Sequence, residues 1–177
     1  VYKRQVIASI GIKGMTPRKF LKAMRDAQIT AFSTSSSVAT LPVTMRCVNS
    51  NLGVSDRTTS FVLPIGATVN MDGTSLYQAI AVVALAQFHM VDLTLAQQAV
   101  IVLTATLASI GAAAIPSAGL VLMIIVLESV GLNPAWIALI FPIDRILDMC
   151  RTVVNVTGDG TVSALVAQSE GELNPGS

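Results

Sequence analysis

Polar residues recur at helical spacing along the otherwise apolar segment DRILDMCRTVVNVTGD, which runs from Asp144 to Asp159. On a helix that turns about 100° per residue, six polar side chains fall on one arc roughly 100° wide. These six are Asp144, Asp148, Arg151, Thr152, Asn155 and Asp159. The pattern predicts a helix with a narrow polar stripe, which is either a solvated face or a binding site.

Two earlier segments are apolar arms that fold around a tip of small residues. Segment 16–50 carries the tip FSTSSSVATLPVT, and segment 94–131 carries ASIGAAAIPSAG. Each tip contains a proline and no charge, so the pattern predicts a broken helix at each one. Thr16-Pro17 and Thr94 are the expected starts of helices in these arms.

A full-length helical segment follows each arm. Segment 56–90 is apolar at both ends, and GATVNMDGT in its middle predicts an interrupted helix. The last helix is expected over 133–168, opened by Asn133-Pro134, with a disordered tail over 169–177. A repeated hairpin-then-helix pair is typical of transporters that are built from inverted repeats.

The composition favours a membrane protein. The chain is 53% hydrophobic with mean hydropathy +0.70 and only 12% charged, whereas soluble domains have about 25% charged residues. Seven of the eleven basic residues lie in the first 25 positions, which predicts a cytoplasmic location for the N-terminal segment. The net charge of +1 suggests no nucleic-acid partner. Because the sequence does not begin with methionine, we expect a piece of a longer protein.

The polar residues inside these segments could form a binding site. Asp148 and Arg151 lie one helical turn apart and could simply neutralise each other. Asn155, Asp159 and the Asn70–Asp72 segment add more acceptor oxygens than one arginine can satisfy. Such oxygens hold small hard cations, and Na⁺ is favoured over a transition metal because the single histidine and two distant cysteines form no metal motif. Arg151 could then bind a ligand carboxylate and Asp148 an ammonium group, which together describe an amino acid.

Catalysis is not expected. The sequence has no phosphate-binding loop, and its one histidine, His89, lies at the end of an apolar helix. An intramembrane protease, with Asp72 and Asp148 sharing a proton, is the enzyme alternative. A membrane channel or scaffold, in which the stripe is structural, is the alternative outside the enzymes.

Four motifs carry a family resemblance: TSSSVATLPVT, GATVNMDGT, ASIGAAAIPSAG and DMCRTVVNVTGD. In order and spacing they resemble the C-terminal half of the dicarboxylate/amino acid:cation symporters, which include the sodium-coupled glutamate and aspartate transporters. The resemblance implies an all-α membrane protein, the C-terminal part of a transport domain over 16–168. Its parts would be re-entrant hairpins 16–50 and 94–131, an unwound transmembrane helix 56–90 and the polar-striped helix 133–168. Residues 1–15 would end a preceding membrane helix and form a linker.

The resemblance also implies site residues. Arg151 would bind the side-chain carboxylate of the substrate, and Asp148 its amino group. The implied substrate residues are Ser37, Met71, Thr74, Ile115, Gly119, Asp148, Arg151, Thr152 and Asn155. Three sodium sites are implied: one at Gly66, Asn70, Asn155 and Asp159, one at Asn70 and Asp72, and one at the backbone carbonyls of Thr68, Ser109, Ile110 and Ala112.

The implied function is Na⁺-coupled symport of an acidic amino acid, L-aspartate or L-glutamate, by alternating access. A homotrimer in a bacterial or archaeal cytoplasmic membrane is expected. Within the family, a C4-dicarboxylate carrier has no use for the amine-binding Asp148, and a neutral amino acid carrier has no use for Arg151.

Some positions depart from the family pattern. Ser35 and Met149 stand where many members carry an extra arginine, and Arg145 is a candidate replacement for that charge. Ala112 and Ala114 stand where members often have Thr and Gly, which predicts a stiffer second hairpin. Gln78 replaces the Glu of proton-coupled relatives, so sodium coupling without that proton carrier is expected.

Overall fold

A computed structural model describes residues 11–12, 15–112 and 116–174 of the chain. In these ranges the secondary structure is helical, and the only bridged pair outside the helices is Val54 with Leu173. The α-helices are α1 Pro17–Ala23, α2 Arg25–Thr34, α3 Ser37–Arg46, α4 Asp56–Val69, α5 Asp72–Phe88, α6 Leu95–Ile110, α7 Ala118–Ser129 and α8 Phe141–Ser169. A π-helical turn, Cys47–Asn51, follows α3, and a 3-10 turn, Pro134–Leu139, precedes α8.

The helix starts follow from local sequence. Thr16 caps α1 by accepting a hydrogen bond from the Lys19 amide, and Pro17 takes the first helical position, where its missing N–H costs nothing. Thr94 and Gln97 form a capping box at the start of α6. The capping signals at both predicted starts are therefore confirmed.

The chain is interrupted where the sequence predicts it. Between α2 and α3, Ser35 adopts a left-handed conformation with φ 52°. Between α4 and α5, the backbone leaves the helical region at Asn70 (φ −87°, ψ 72°) and Met71 (φ −102°, ψ 47°). Pro64 lies inside α4 without ending it, so the break comes from the Asn70-Met71 pair itself.

Two clusters of buried apolar side chains form the core. The first joins α1–α4 to the C-terminal half of α8 and includes Phe20, Met24, Val48, Leu63 and Val156. The second joins α5, α6, α7 and the 3-10 turn. Because α8 contacts the helices of both clusters, its polar stripe lies in the interior between them.

One sequence prediction is corrected at the end of the chain, the start of the last helix. Asn133-Pro134 opens a 3-10 turn, and α8 begins only at Phe141, because Pro142 suits the first turn of a new helix. Residues 169–174 of the predicted disordered tail contact the segment before α4, and residues 175–177 lie outside the described residues. There the Ser55 amide donates to the Glu172 carbonyl at 3.2 Å, and the Asn174 amide donates to the Gly53 carbonyl at 2.8 Å.

Among the helices of the described residues, none has both the length and the hydropathy expected of a membrane span.

Candidate functional site

All six residues of the α8 stripe are buried, each with 5% or less of its surface exposed. The stripe is therefore not a solvated face. It lies against α5, the interrupted Asn70-Met71 segment, the connection between α2 and α3, and the start of α7.

Arg151 is at the centre of the stripe and contacts two carboxylates. Its Nε donates to Asp148 Oδ1 at 2.7 Å, and its Nη1 lies 3.4 Å from Asp144 Oδ1. Its guanidinium carbon lies 4.7 Å from the centroid of the Tyr77 ring, and the Tyr77 hydroxyl donates to Asp144 Oδ1 at 2.8 Å. Buried charges are tolerated when they are paired in this way.

Asn155 connects α8 to the start of α5. Its Oδ1 accepts from the Gly73 amide at 2.7 Å, and its Nδ2 donates to Thr74 Oγ1 at 3.3 Å. A side chain at Gly73 would collide with the Arg151 backbone carbonyl. Glycine is therefore required here for the close approach of the two helices.

A second polar group lies one turn further along α8. The Asn70 Nδ2 donates to Asp159 Oδ1 at 2.9 Å and lies 3.5 Å from the Asn155 carbonyl oxygen. A Cβ added at Gly66 would lie 2.7 Å from Asp159 Oδ1, so the Gly66 backbone also borders this carboxylate. These four residues are the ones predicted for the first sodium site.

The predicted substrate residues border one small cavity. Those that line it are Ser37, Met71, Thr74, Gly119, Asp148, Arg151, Thr152 and Asn155. Ile115 lies outside the described residues. The cavity volume is about 20 Å³, which is room for about one water molecule. An amino acid can enter only if the surrounding side chains or the second hairpin move.

The residues predicted for the other two sodium sites do not form a comparable group of polar contacts. Thr68 is exposed and its hydroxyl donates to the Ile65 carbonyl, while the Ser109 hydroxyl donates to the Thr106 carbonyl. Ile110 is also exposed, Asp72 is partly exposed, and Ala112 is buried at the cavity. Over the described ranges no group of three or more His, Cys, Asp or Glu residues could hold a metal ion.

The structure adds residues that sequence reasoning left out of the site. Asp144 belongs to the stripe, but only the fold shows that it shares Arg151 with Asp148. Gln78 is fully buried and its Nε2 donates to the Gly119 carbonyl at 2.9 Å. Arg145, the candidate replacement for the missing arginine, is exposed on α8, and its role stays a prediction.

Comparisons with known proteins identify the family. The model of the sodium:dicarboxylate symporter family matches residues 5–169. The chain is 53% identical over 160 residues to excitatory amino acid transporter 4 of Mus musculus, covering 89% of this chain and 28% of that protein. It is 51% identical over 150 residues to an excitatory amino acid transporter of Caenorhabditis elegans, covering 85% of this chain and 30% of the relative.

The chain thus spans about three tenths of the length of these relatives. The family is one of transporters and not of enzymes. With a family match over nearly its whole length and half of its aligned residues identical to such relatives, this chain belongs to the sodium:dicarboxylate symporter family.

Proposed function

We propose that the full-length protein is a Na⁺-coupled symporter of an acidic amino acid, L-aspartate or L-glutamate, working by alternating access. The observation that carries the proposal is the buried pair of Arg151 and Asp148 at one cavity. A guanidinium and a carboxylate side by side match the carboxylate and ammonium groups of an amino acid. The names of the relatives point to the same substrate class.

Each end of the substrate has a matching group. Arg151 would bind the side-chain carboxylate through a forked contact, and Asp148 would accept hydrogen bonds from the ammonium group. Thr152 and Asn155, both at the cavity, would hold the main carboxylate and the amine. Ser37, Met71, Thr74, Gly119 and Ile115 complete the proposed substrate site.

Sodium ions are proposed as co-transported cargo. The best-supported site is the group of Asn70, Asp159, Asn155 and Gly66 at the helix interruption. There the Asn70 amide group contacts both the Asn155 carbonyl oxygen and the Asp159 carboxylate, and the Gly66 backbone borders that carboxylate. Hard cations prefer such oxygen ligands. The proposed sites at Asp72 and at the carbonyls of Thr68, Ser109, Ile110 and Ala112 would need local rearrangement, because the described contacts do not bring those residues together.

The proposed setting is a lipid bilayer. Helices α6 and α7 expose large apolar side chains, such as Leu103, Leu107 and Val121, each more than 60% exposed. Exposed apolar surface of this extent marks contact with lipid or with another part of the protein. We propose that segments 16–50 (α1–α3) and 94–131 (α6–α7) are the re-entrant hairpins of a transport domain and that the full protein is a homotrimer. A bacterial or archaeal cytoplasmic membrane stays a prediction, and the relatives named above are animal proteins.

Labelled L-aspartate uptake by the full-length protein in proteoliposomes tests the proposal. We expect uptake that requires an inward Na⁺ gradient and that falls at least about a hundredfold in Arg151→Ala, because that variant leaves the ligand carboxylate unpaired. Arg145→Ala is the matched control, since it removes an exposed arginine from the same helix. Sodium-independent or absent uptake by the folded wild type would refute the proposal.

A further inference from the structure

Arg151 is shared by more partners than a ligand-binding arginine needs. One guanidinium touches Asp148, Asp144 and the face of Tyr77. Arg151 is 5% exposed, and the side chains of the two aspartates are 4% exposed or less. Any carboxylate that enters the site meets an arginine whose charge is already matched by protein groups.

No second buried cation relieves this sharing. Among the described residues Arg151 is the only buried basic side chain. Arg145 is exposed, and Ser35 and Met149 are uncharged. Two buried carboxylates therefore depend on a single positive charge, and each competes with the other for it.

Of the two aspartates, Asp144 makes the weaker contact with Arg151 and can be displaced from it. Its oxygen lies 3.4 Å from Arg151 Nη1, whereas Asp148 Oδ1 lies 2.7 Å from Nε, and charge-assisted hydrogen bonds are strongest near 2.7–2.9 Å. Asp148 is also held by the Ser117 amide at 2.8 Å. Asp144 keeps the Tyr77 hydroxyl as a donor when Arg151 leaves it.

A ligand carboxylate would need the nitrogen that Asp144 contacts. A forked contact uses two N–H groups of the guanidinium. Nε is taken by Asp148, so the remaining pair is Nη1 and Nη2, and Nη1 faces Asp144. We propose that Asp144 competes with the side-chain carboxylate of the substrate for Arg151 and thereby limits the preference of the site for acidic over neutral amino acids. This inference rests on the proposed function.

Neutral amino acids provide the contrast. A substrate without a second carboxylate does not need Nη1 and leaves the Asp144–Arg151 contact in place. Asp144 therefore lowers the affinity for an acidic substrate selectively, and it acts through Arg151 as a positioning residue. Tyr77 moderates the competition, because its hydroxyl stabilises the Asp144 carboxylate when Arg151 turns away from it.

The experiment uses the full-length protein in proteoliposomes with three variants. For each one, the KM for labelled L-aspartate is measured, together with inhibition of that uptake by the neutral isostere L-asparagine. Asp144→Asn removes the charge and keeps an acceptor for Tyr77. Tyr77→Phe removes the donor that stabilises the released Asp144. Arg145→Gln, exposed on the same helix, is the matched control.

We expect Asp144→Asn to lower the KM for aspartate about tenfold, the effect of one charge-assisted hydrogen bond. Inhibition by asparagine should change less than about twofold, because asparagine has no side-chain carboxylate and does not compete with Asp144 for Arg151. Tyr77→Phe should raise the KM for aspartate, because Asp144 then holds Arg151 more firmly, and Arg145→Gln should change neither value.

An unchanged or higher KM for aspartate in Asp144→Asn overturns the inference, as does an equal shift for aspartate and asparagine. If Asp144→Asn does not fold, Tyr77→Phe tests the inference instead. A lower or unchanged KM for aspartate in Tyr77→Phe then overturns the inference. Sodium-dependent aspartate uptake by the wild type separates these outcomes from a failure of the proposed function.

Discussion

The two tips predicted from the sequence differ in their hydrogen bonds. The first tip, residues 34–37 between α2 and α3, is closed by its own hydroxyl groups. Thr34 Oγ1 and Thr40 Oγ1 are 2.9 Å apart, and Ser36 Oγ accepts from the Ala39 amide at 3.2 Å. At the second tip, between α6 and α7, the described residues are 111–112 and 116–117, and there the Ser117 amide donates to Asp148 of α8 at 2.8 Å.

This difference indicates which hairpin depends on the contents of the site. In the first tip these hydrogen bonds join residues within a few positions of each other and do not use Asp148 or Arg151. The second tip is anchored by Asp148, the proposed partner of the substrate ammonium, and by Gln78 at Gly119. A ligand that takes Asp148 removes one of these anchors, so the second tip is the better candidate for a moving part.

Among the variants that compare the two tips, the largest expected effect comes from Gly119→Ala at the second tip. The added Cβ would lie 2.9 Å from Thr74 Cγ2 and 3.0 Å from Arg151 Nη1, which holds α7 away from the site. We expect aspartate uptake to fall at least about tenfold, in line with the 1–3 kcal/mol cost of overpacking. Gly111→Ala is the control, because among the described residues its Cβ would meet only the Ala108 carbonyl oxygen, at 3.7 Å. Equal losses in both variants would contradict the expectation.

Gln78→Leu should have a smaller effect on the same tip. It removes the hydrogen bond that Gln78 Nε2 donates to the Gly119 carbonyl in a buried place. We expect the KM for aspartate to rise about fivefold, corresponding to about 1 kcal/mol. Gln87→Leu, exposed on the same helix, should leave the KM unchanged. An unaltered KM in Gln78→Leu would show that this anchor does not hold the tip.

Ser36→Ala tests the self-closed first tip. The substitution removes the side-chain cap of α3, which should lower the free energy of unfolding by about 1 kcal/mol. Thermal or denaturant unfolding of the purified full-length protein measures this, with Ser33→Ala as an exposed control on α2. Because the cap is local, the KM for aspartate should stay within about twofold. A large change in KM would remove the distinction between the two tips.

The smallest effect is expected from Glu172→Gln, outside both tips. Hydrogen bonds from the Ser55 and Thr58 hydroxyls hold the pKa of the Glu172 carboxyl below its ordinary value of 4.5. A lowered folded-state pKa stabilises the fold above the unfolded value, and this contribution is lost as the pH falls below about 4.5 through the folded value. The Tm difference between wild type and Glu172→Gln should therefore shrink between pH 6 and pH 3.5. A Tm difference that stays constant with pH would show that the lowered pKa of Glu172 does not stabilise the fold. Glu170→Gln is the exposed control.

The sequence by itself determined the local features of this protein. Capping residues set the starts of α1 and α6, the Asn70-Met71 break is visible in its residue types, and the α8 stripe follows from helical periodicity. These features depend on residues within one or two turns, where propensity and spacing are informative.

The tertiary structure alone decided which groups face the stripe. Tyr77 and Asp144 are 67 positions apart, and Ser55 and Glu172 are 117 positions apart. The sharing of Arg151 by Asp144 and Asp148, the exposure of Arg145 and the docking of residues 172–174 all depend on such contacts. Helical periodicity defines a polar face, but it contains no information about the distant residues that pack against that face.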